Sequence, residues 1–156
     1  MYRITIIAVG SLKESYWREA EKEYRKRLAS DAKIVIKELR EVPFRSAADK
    51  ERILAREADT IMKSIPKDSS VIVLDIAGKA MSSEEFARTI DKRANSGEHL
   101  CFVIGGPLGL SEQIRREAAL DLSLSSLTFT HQIARVLLFE QLYRALTIIK
   151  GRPYHY

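Results

Sequence analysis

Two short apolar runs constrain this chain most. Val71–Ile76 (VIVLDI) and Leu100–Ile104 (LCFVI) lack the apolar/polar alternation of a half-exposed strand. Runs of this length, rich in Val and Ile, are strands covered on both faces, the hallmark of a parallel sheet. Helical stretches lie between the strand runs. Leu12–Leu28 is long and charged, with Ser11 as a cap. Asp49–Ser64 follows a loop, Glu41–Ala48, that contains Pro43. A third helix runs from a Ser82/Glu85 capping box to about Ala94 and stops at Asn95-Ser96-Gly97. Ser111 caps a short helix to about Ala119. Thr130 caps the last, Gln132–Lys150, which Gly151 stops. The remaining strands are Ile4–Val9, broken by Gly10-Ser11, Lys33–Leu39, which alternates, and Leu122–Leu124. Turns are expected at Pro66–Ser69 and at Gly78-Lys79. This alternation predicts an α/β fold: one domain over residues 1–156, with a mostly parallel sheet and helices on both faces.

The last third holds the features that suggest a site. The strand ending at Ile104 runs into Gly105-Gly106-Pro107-Leu108-Gly109, and open α/β sheets bind ligands at the carboxyl ends of their strands. A hydroxyl-rich loop follows, with Ser123, Ser125, Ser126 and Thr128. Next comes a helix apolar on nearly every side, which needs a partner to cover it. A subunit interface beside a ligand site is therefore expected. Within that helix, Glu140 and Arg144 have the favourable spacing for an ion pair. Arg135 has no carboxylate three or four residues away and lies among Val136, Leu137, Leu138 and Phe139. An interface pair or a substrate phosphate are the partners expected for it.

Several chemistries fail on spacing. The glycine loop lacks G-x-G-x-x-G. A phosphate loop at Gly78-Lys79 would need glycine where Val73 stands and Ser or Thr where Ala80 stands. No G-x-S-x-G elbow exists. His99, His131 and His155 have no ligand-type neighbour on a shared helical face, so no metal site is expected. His99 is expected at the surface and His131 as a cap or packing residue. Cys101, the single cysteine, sits in an apolar strand and is expected to be inert. With no disulfide to form and no apolar run near 18 residues, a reducing compartment and no membrane span are expected.

The net charge of +5 favours an acidic partner such as RNA. Residues 1–30 carry seven Lys/Arg against four Glu. Residues 122–156 carry four Lys/Arg against one Glu, and the middle is near neutral. The basic residues of the first helix, Lys13, Arg18, Lys22, Arg25, Lys26 and Arg27, are RNA-contact candidates, although helical pairing with Glu14, Glu19, Glu21 and Glu23 explains several of them.

The segments ITIIAVG, LDIAGK, FVIGGPLGLS, LSLSSLTFTHQIARVLLFEQLYRA and the terminal PYH together resemble the ribosomal RNA large subunit methyltransferase H family of the SPOUT superfamily, essentially end to end. The resemblance implies a C-terminal trefoil knot, a homodimer, and S-adenosylmethionine as cofactor. It implies methylation of pseudouridine N3 in large-subunit (23S) ribosomal RNA on the assembled ribosome, hence a cytoplasmic protein. Carried over by motif, the cofactor positions are Leu74, Gly105 and the loop Leu124, Ser125, Ser126, Leu127, Thr128 and Phe129. The catalytic candidates are His155, to position or deprotonate the acceptor base, Tyr154, to order the tail, and Arg135, to bind phosphate or the imide oxygen. A non-catalytic ribosome-associated RNA-binding dimer is the alternative, and an unrelated nucleotide-dependent α/β enzyme is a third class.

Overall fold

Successive residues of the central strands enter two different cores, and this places helices on both faces of the sheet. The computed structural model describes residues 1–154. The strands are β1 (Tyr2–Val9), β2 (Ala32–Leu39), β3 (Ser69–Ala80), β4 (His99–Ile104) and β5 (Leu120–Ser123). The helices are α1 (Ser15–Leu28), α2 (Lys50–Ser64), α3 (Ser83–Asn95), α4 (Glu112–Glu117) and α5 (His131–Ile149), with a 3-10 turn at Ala47–Asp49. The sheet order is β2-β1-β4-β3-β5 and every pairing is parallel.

Ile4, Ile6 and Ala8 of β1, with Leu100 and Phe102 of β4, meet Leu28 of α1, Phe86 and Ile90 of α3, and Leu138, Phe139 and Leu142 of α5. The intervening Ile7, Val9, Cys101 and Val103 meet Ala58 and Ile61 of α2 and Ile114 of α4. Each large side chain so covered contributes roughly 1.5–3 kcal/mol. Cys101 is fully buried, and burial pushes its thiol up to about 12, which keeps it protonated and inert, as expected from its strand.

The caps of α3, α4 and α5 lie where the sequence places them. Ser82 and Glu85 form the reciprocal box, Ser111 accepts from Ile114 N, Thr130 accepts from Ile133 N, and Gly97 and Gly151 take φ +82 and +60. Four local expectations are corrected. α1 starts at Ser15, after an N-cap at Glu14 and without help from Ser11, and the Arg18 guanidinium holds the preceding carbonyls of Leu12 and Lys13 at 2.9 and 2.6 Å. Gly78-Lys79 is no turn: β3 continues through it with a register shift between Leu74 and Lys79. A Cβ at Gly78 would lie 2.7 Å from the Asp121 backbone, so glycine there lets β5 approach. β5 itself begins two residues early, after Ala119 N bonds Val71 O, and leaves Leu124 in the loop. His99 is half-buried, its Nε2 2.9 Å from Thr5 Oγ1, and burial lowers its pKa.

On α5, Arg135, Leu138, Phe139, Leu142, Ala145 and Leu146 form the buried stripe. Val136 and Leu137 are only half-buried, which leaves a second apolar strip beside the core-facing one.

Candidate ligand cavity at the carboxyl edge of the sheet

The loop after β4 closes on itself tightly. Gly109 N donates to Gly106 O at 3.0 Å, and a Cβ at Gly105 would lie 2.6 Å from Gly109 O. Only glycine fits at 105, and Gly109, at φ +78, also takes the glycine-favouring conformation. The loop after β5 is shaped by its own hydroxyls. Ser123 Oγ donates to Ser125 O at 3.1 Å, and Leu127 N donates to Ser125 Oγ at 3.0 Å. Serines here hold the backbone in shape and raise Leu127 into solvent, at 73% exposure.

These two loops, the middle of β3 and the first turn of α5 enclose a cavity of about 780 Å³, within the range of small-molecule sites. Of the expected cofactor positions, Leu74, Gly105, Leu124, Ser125, Leu127, Thr128 and Phe129 line it. Ser126 lies in the same loop without lining it. The walls are mostly apolar, with Ile76, Leu108 and Leu122 joining the leucines and Phe129.

Sequence reasoning missed the polar end. Asp75, half-buried within the apolar VIVLDI run, lies 3.2 Å from Arg115 Nε through Oδ2, and its Oδ1 accepts from Ala77 N. Arg115 Nε is close enough for ion pairing but lies off the hydrogen-bond line. Among the described residues, the buried side-chain nitrogens and oxygens without a hydrogen-bond partner are Arg115 Nε and His131 Nε2, and both residues line this cavity. An unpaired buried polar atom costs roughly 1–3 kcal/mol. Both lie beneath the cavity wall, Arg115 Nε against Asp75 and His131 Nε2 3.0 Å from where a Cβ at Gly10 would stand. The carboxylate inside an otherwise apolar strand was the available sequence signal for this end.

The three expected catalytic residues part company. Arg135 is buried and does not line the cavity. Its Nε lies 2.5 Å from Glu21 Oε2, its Nη2 3.1 Å from Glu21 Oε1, and its Nη1 2.7 Å from Glu38 Oε1. The carboxylates that α5 lacks locally come from α1 and β2. Tyr154 folds back along α5. Its hydroxyl donates to Glu140 Oε1 at 2.9 Å, and the Arg144 guanidinium sits 4.1 Å from its ring centroid. Burial, with the bond to Glu140, pushes its phenol up to about 12, so it is a donor at neutral pH and no base. The Glu140–Arg144 pair forms as expected, at 2.9 Å. His155 lies outside the described residues.

On α1, Arg18 and Arg27 have protein partners, Arg27 pairing with Glu23 at 2.8 Å. Arg25 and Lys26 are exposed. Among the described residues no group of His, Cys, Asp and Glu is placed to hold a metal ion, and no helix is long and apolar enough to cross a membrane.

The family model described as "Predicted SPOUT methyltransferase" matches residues 2–155. A protein of Caldicellulosiruptor saccharolyticus named "Ribosomal RNA large subunit methyltransferase H" is 45% identical, over 97% of this chain and 99% of its own length. A Bacillus pumilus protein of the same name is 47% identical over 97% and 98%. One from Pelotomaculum thermopropionicum is 43% identical over the whole of both chains.

Proposed function

Because the chain belongs to the ribosomal RNA large subunit methyltransferase H family of SPOUT methyltransferases, we propose that it methylates large-subunit ribosomal RNA, with S-adenosylmethionine as donor and N3 of a pseudouridine on the assembled ribosome as acceptor. The observation that carries this reading is the convergence of two backbone-shaped loops on one apolar cavity with a polar end. Leu74, Leu127 and Phe129 suit the faces of an adenine. Backbone groups at Gly105 and in the serine loop suit its polar edge, and the Asp75–Arg115 pair lies at the polar end of the cavity.

When bound, S-adenosylmethionine supplies an electrophilic methyl group on a sulfonium, so the protein itself forms no covalent intermediate. What the chain contributes is placement. Holding donor and acceptor in near-attack geometry lowers a barrier by up to roughly 7–11 kcal/mol. The acceptor N3–H must also lose its proton, and His155 is our candidate to take it or to hold the base. Tyr154, protonated and tied to Glu140, orders the tail that carries it.

The Tyr154 anchor on Glu140 lies away from the cavity of its own chain. Glu140 is nine residues along α5 from the cavity-lining His131, about 14 Å at the helical rise. A second copy fits both facts: its tail would complete this cavity, and the half-buried Val136 and Leu137 would lie in the homodimer interface. Ribosomal RNA would meet the basic face of α1. Reversing Arg25 and Lys26 to glutamate is expected to weaken ribosome binding most at low salt and to reduce the salt slope by about 1–2. An unchanged slope removes α1 from the interface. Work on ribosomes would place the protein in the cytoplasm.

The test is transfer of a radiolabelled methyl group to intact ribosomes, isolated large subunits and naked ribosomal RNA from a strain lacking this protein. Label on intact ribosomes that maps to a pseudouridine supports the reading. Binding of S-adenosylmethionine with no label on any acceptor points to a different acceptor. No binding and no label leave a non-catalytic ribosome-associated dimer. In the same assay His155→Ala is expected to lower kcat by about 10²-fold or more; a parental rate removes His155 from the mechanism.

A further inference from the structure

The turn between α1 and β2 carries a carboxylate that neither the sheet nor the cavity uses. Asp31 is 3% exposed, yet its side-chain oxygens are occupied by two cations from the far end of the chain. Lys150 Nζ donates to Oδ1, and Arg152 Nη1 donates to Oδ2 at 2.8 Å. The backbone of Asp31 is itself fixed: its N–H donates to Leu28 O and its carbonyl accepts from Tyr2 N, both at 2.9 Å. The carboxylate therefore sits on a rigid corner where α1, β1 and β2 meet.

The segment it holds is the exit from α5. Gly151, at φ +60, reverses the chain, and Arg152 N returns to Thr147 O at 2.9 Å. Beyond Pro153, Tyr154 lies back on the helix against Glu140, with Tyr143 edge-on at 5.3 Å. The tail through Tyr154 thus has two anchors, one at Lys150 and Arg152 and one at Tyr154. The first is the only one that reaches outside α5 and its tail among the hydrogen bonds described here, across 119 and 121 residues of sequence.

We propose that Asp31 is a positioning residue for methyl transfer: by seating Lys150 and Arg152 on the α1–β2 corner, it sets the tail in the conformation that completes the active site. This rests on the tail having the catalytic part given to it above. Chemistry supports a permanent clamp over a titrating one. Burial alone would raise the Asp31 pKa, but hydrogen bonds from Lys150 and Arg152 outweigh it and hold the carboxyl below the usual range. A depressed carboxyl contributes its stability above the ordinary carboxylate pKa and loses it only as pH falls through the lowered value. The clamp is closed at neutral pH.

Asp31→Asn in the full chain tests it, because the amide keeps the shape and removes the charge. Steady-state transfer to ribosomes is measured beside S-adenosylmethionine affinity, melting temperature and tryptic cleavage after Lys150. A displacement of the tail by 1 Å is enough to lower kcat by about 10- to 100-fold. The expected result is that fall in kcat, with cofactor affinity within about twofold of the parent, since Asp31 does not line the cavity. Cleavage between Lys150 and Gly151 is expected to accelerate, and Asp31→Glu to recover part of kcat. A parental kcat overturns the proposal. So does a fall in kcat matched by equal loss of cofactor affinity or by a collapse in melting temperature, which would mark a general structural role. If Asp31→Asn does not fold, Arg152→Gln, on the half-exposed side of the clamp, is read by the same criteria. No transfer by the parent protein overturns the functional reading and the positioning role with it. Unaltered cleavage after Lys150 in an active parent background overturns the clamp alone.

Discussion

Arg135→Ala is expected to destabilise the fold by about 3–5 kcal/mol, the cost of stranding one member of a buried ion pair. The Arg135 side chain is 4% exposed and that of Glu21 is 10% exposed. Glu21 accepts two of the guanidinium hydrogen bonds, at 2.5 and 3.1 Å, and its side chain makes no other hydrogen bond among the described residues. Removing the arginine leaves that carboxylate in a site built to exclude water. Glu38, 44% exposed, can turn to solvent and loses little. For a chain of this size the melting temperature should fall by about 6–20 °C, and urea titration should show the midpoint moving with little change in slope. Replacing the pair together, as Arg135→Met with Glu21→Leu, should recover most of the stability, because a buried pair exchanged for apolar groups of similar volume is often neutral or better. That double variant should still transfer methyl groups. If Arg135→Ala instead melts like the parent and has lost transfer, the guanidinium acts on substrate and its architectural assignment is wrong.

Gly105→Ala is expected to weaken S-adenosylmethionine binding by about 10- to 100-fold, from a backbone overlap worth roughly 1–3 kcal/mol. The new methyl would lie 2.6 Å from Gly109 O and 2.8 Å from its carbonyl carbon. Neither atom is the end of a flexible side chain, so the loop must open, and with it one wall of the cavity. Calorimetric titration with the cofactor measures the effect. Gly97→Ala is the control. It is strained at φ +82 with no atom near its Cβ, and it lies away from the cavity, so it should cost stability without changing affinity. Equal affinities for Gly105→Ala and the parent would show that this loop does not shape the cofactor site.

Much of the architecture is local and was therefore readable. The unbroken apolar runs at Val71 and Leu100 announce strands covered on both faces. Ser82 with Glu85, Ser111 and Thr130 announce helix starts, because a cap is decided within four residues. The glycine loop and the serine loop marked most of the cavity wall, since only backbone-permissive sequences make such turns. Gly78 was misread because its reason lies outside its own segment: β5 comes to within 2.7 Å of where its side chain would be.

The sequence by itself determined the alternation of strands and helices, the capped starts at Ser82, Ser111 and Thr130, and which loops can approach a ligand, since these depend on periodicity and on nearest neighbours. Only the tertiary structure decided the order β2-β1-β4-β3-β5 and the pairing of charges. Arg135 meets Glu21 across 114 residues, Lys150 meets Asp31 across 119, and Asp75 meets Arg115. A buried charge must find its counter-charge in space, and the chain's packing, not its spacing, brings the two together.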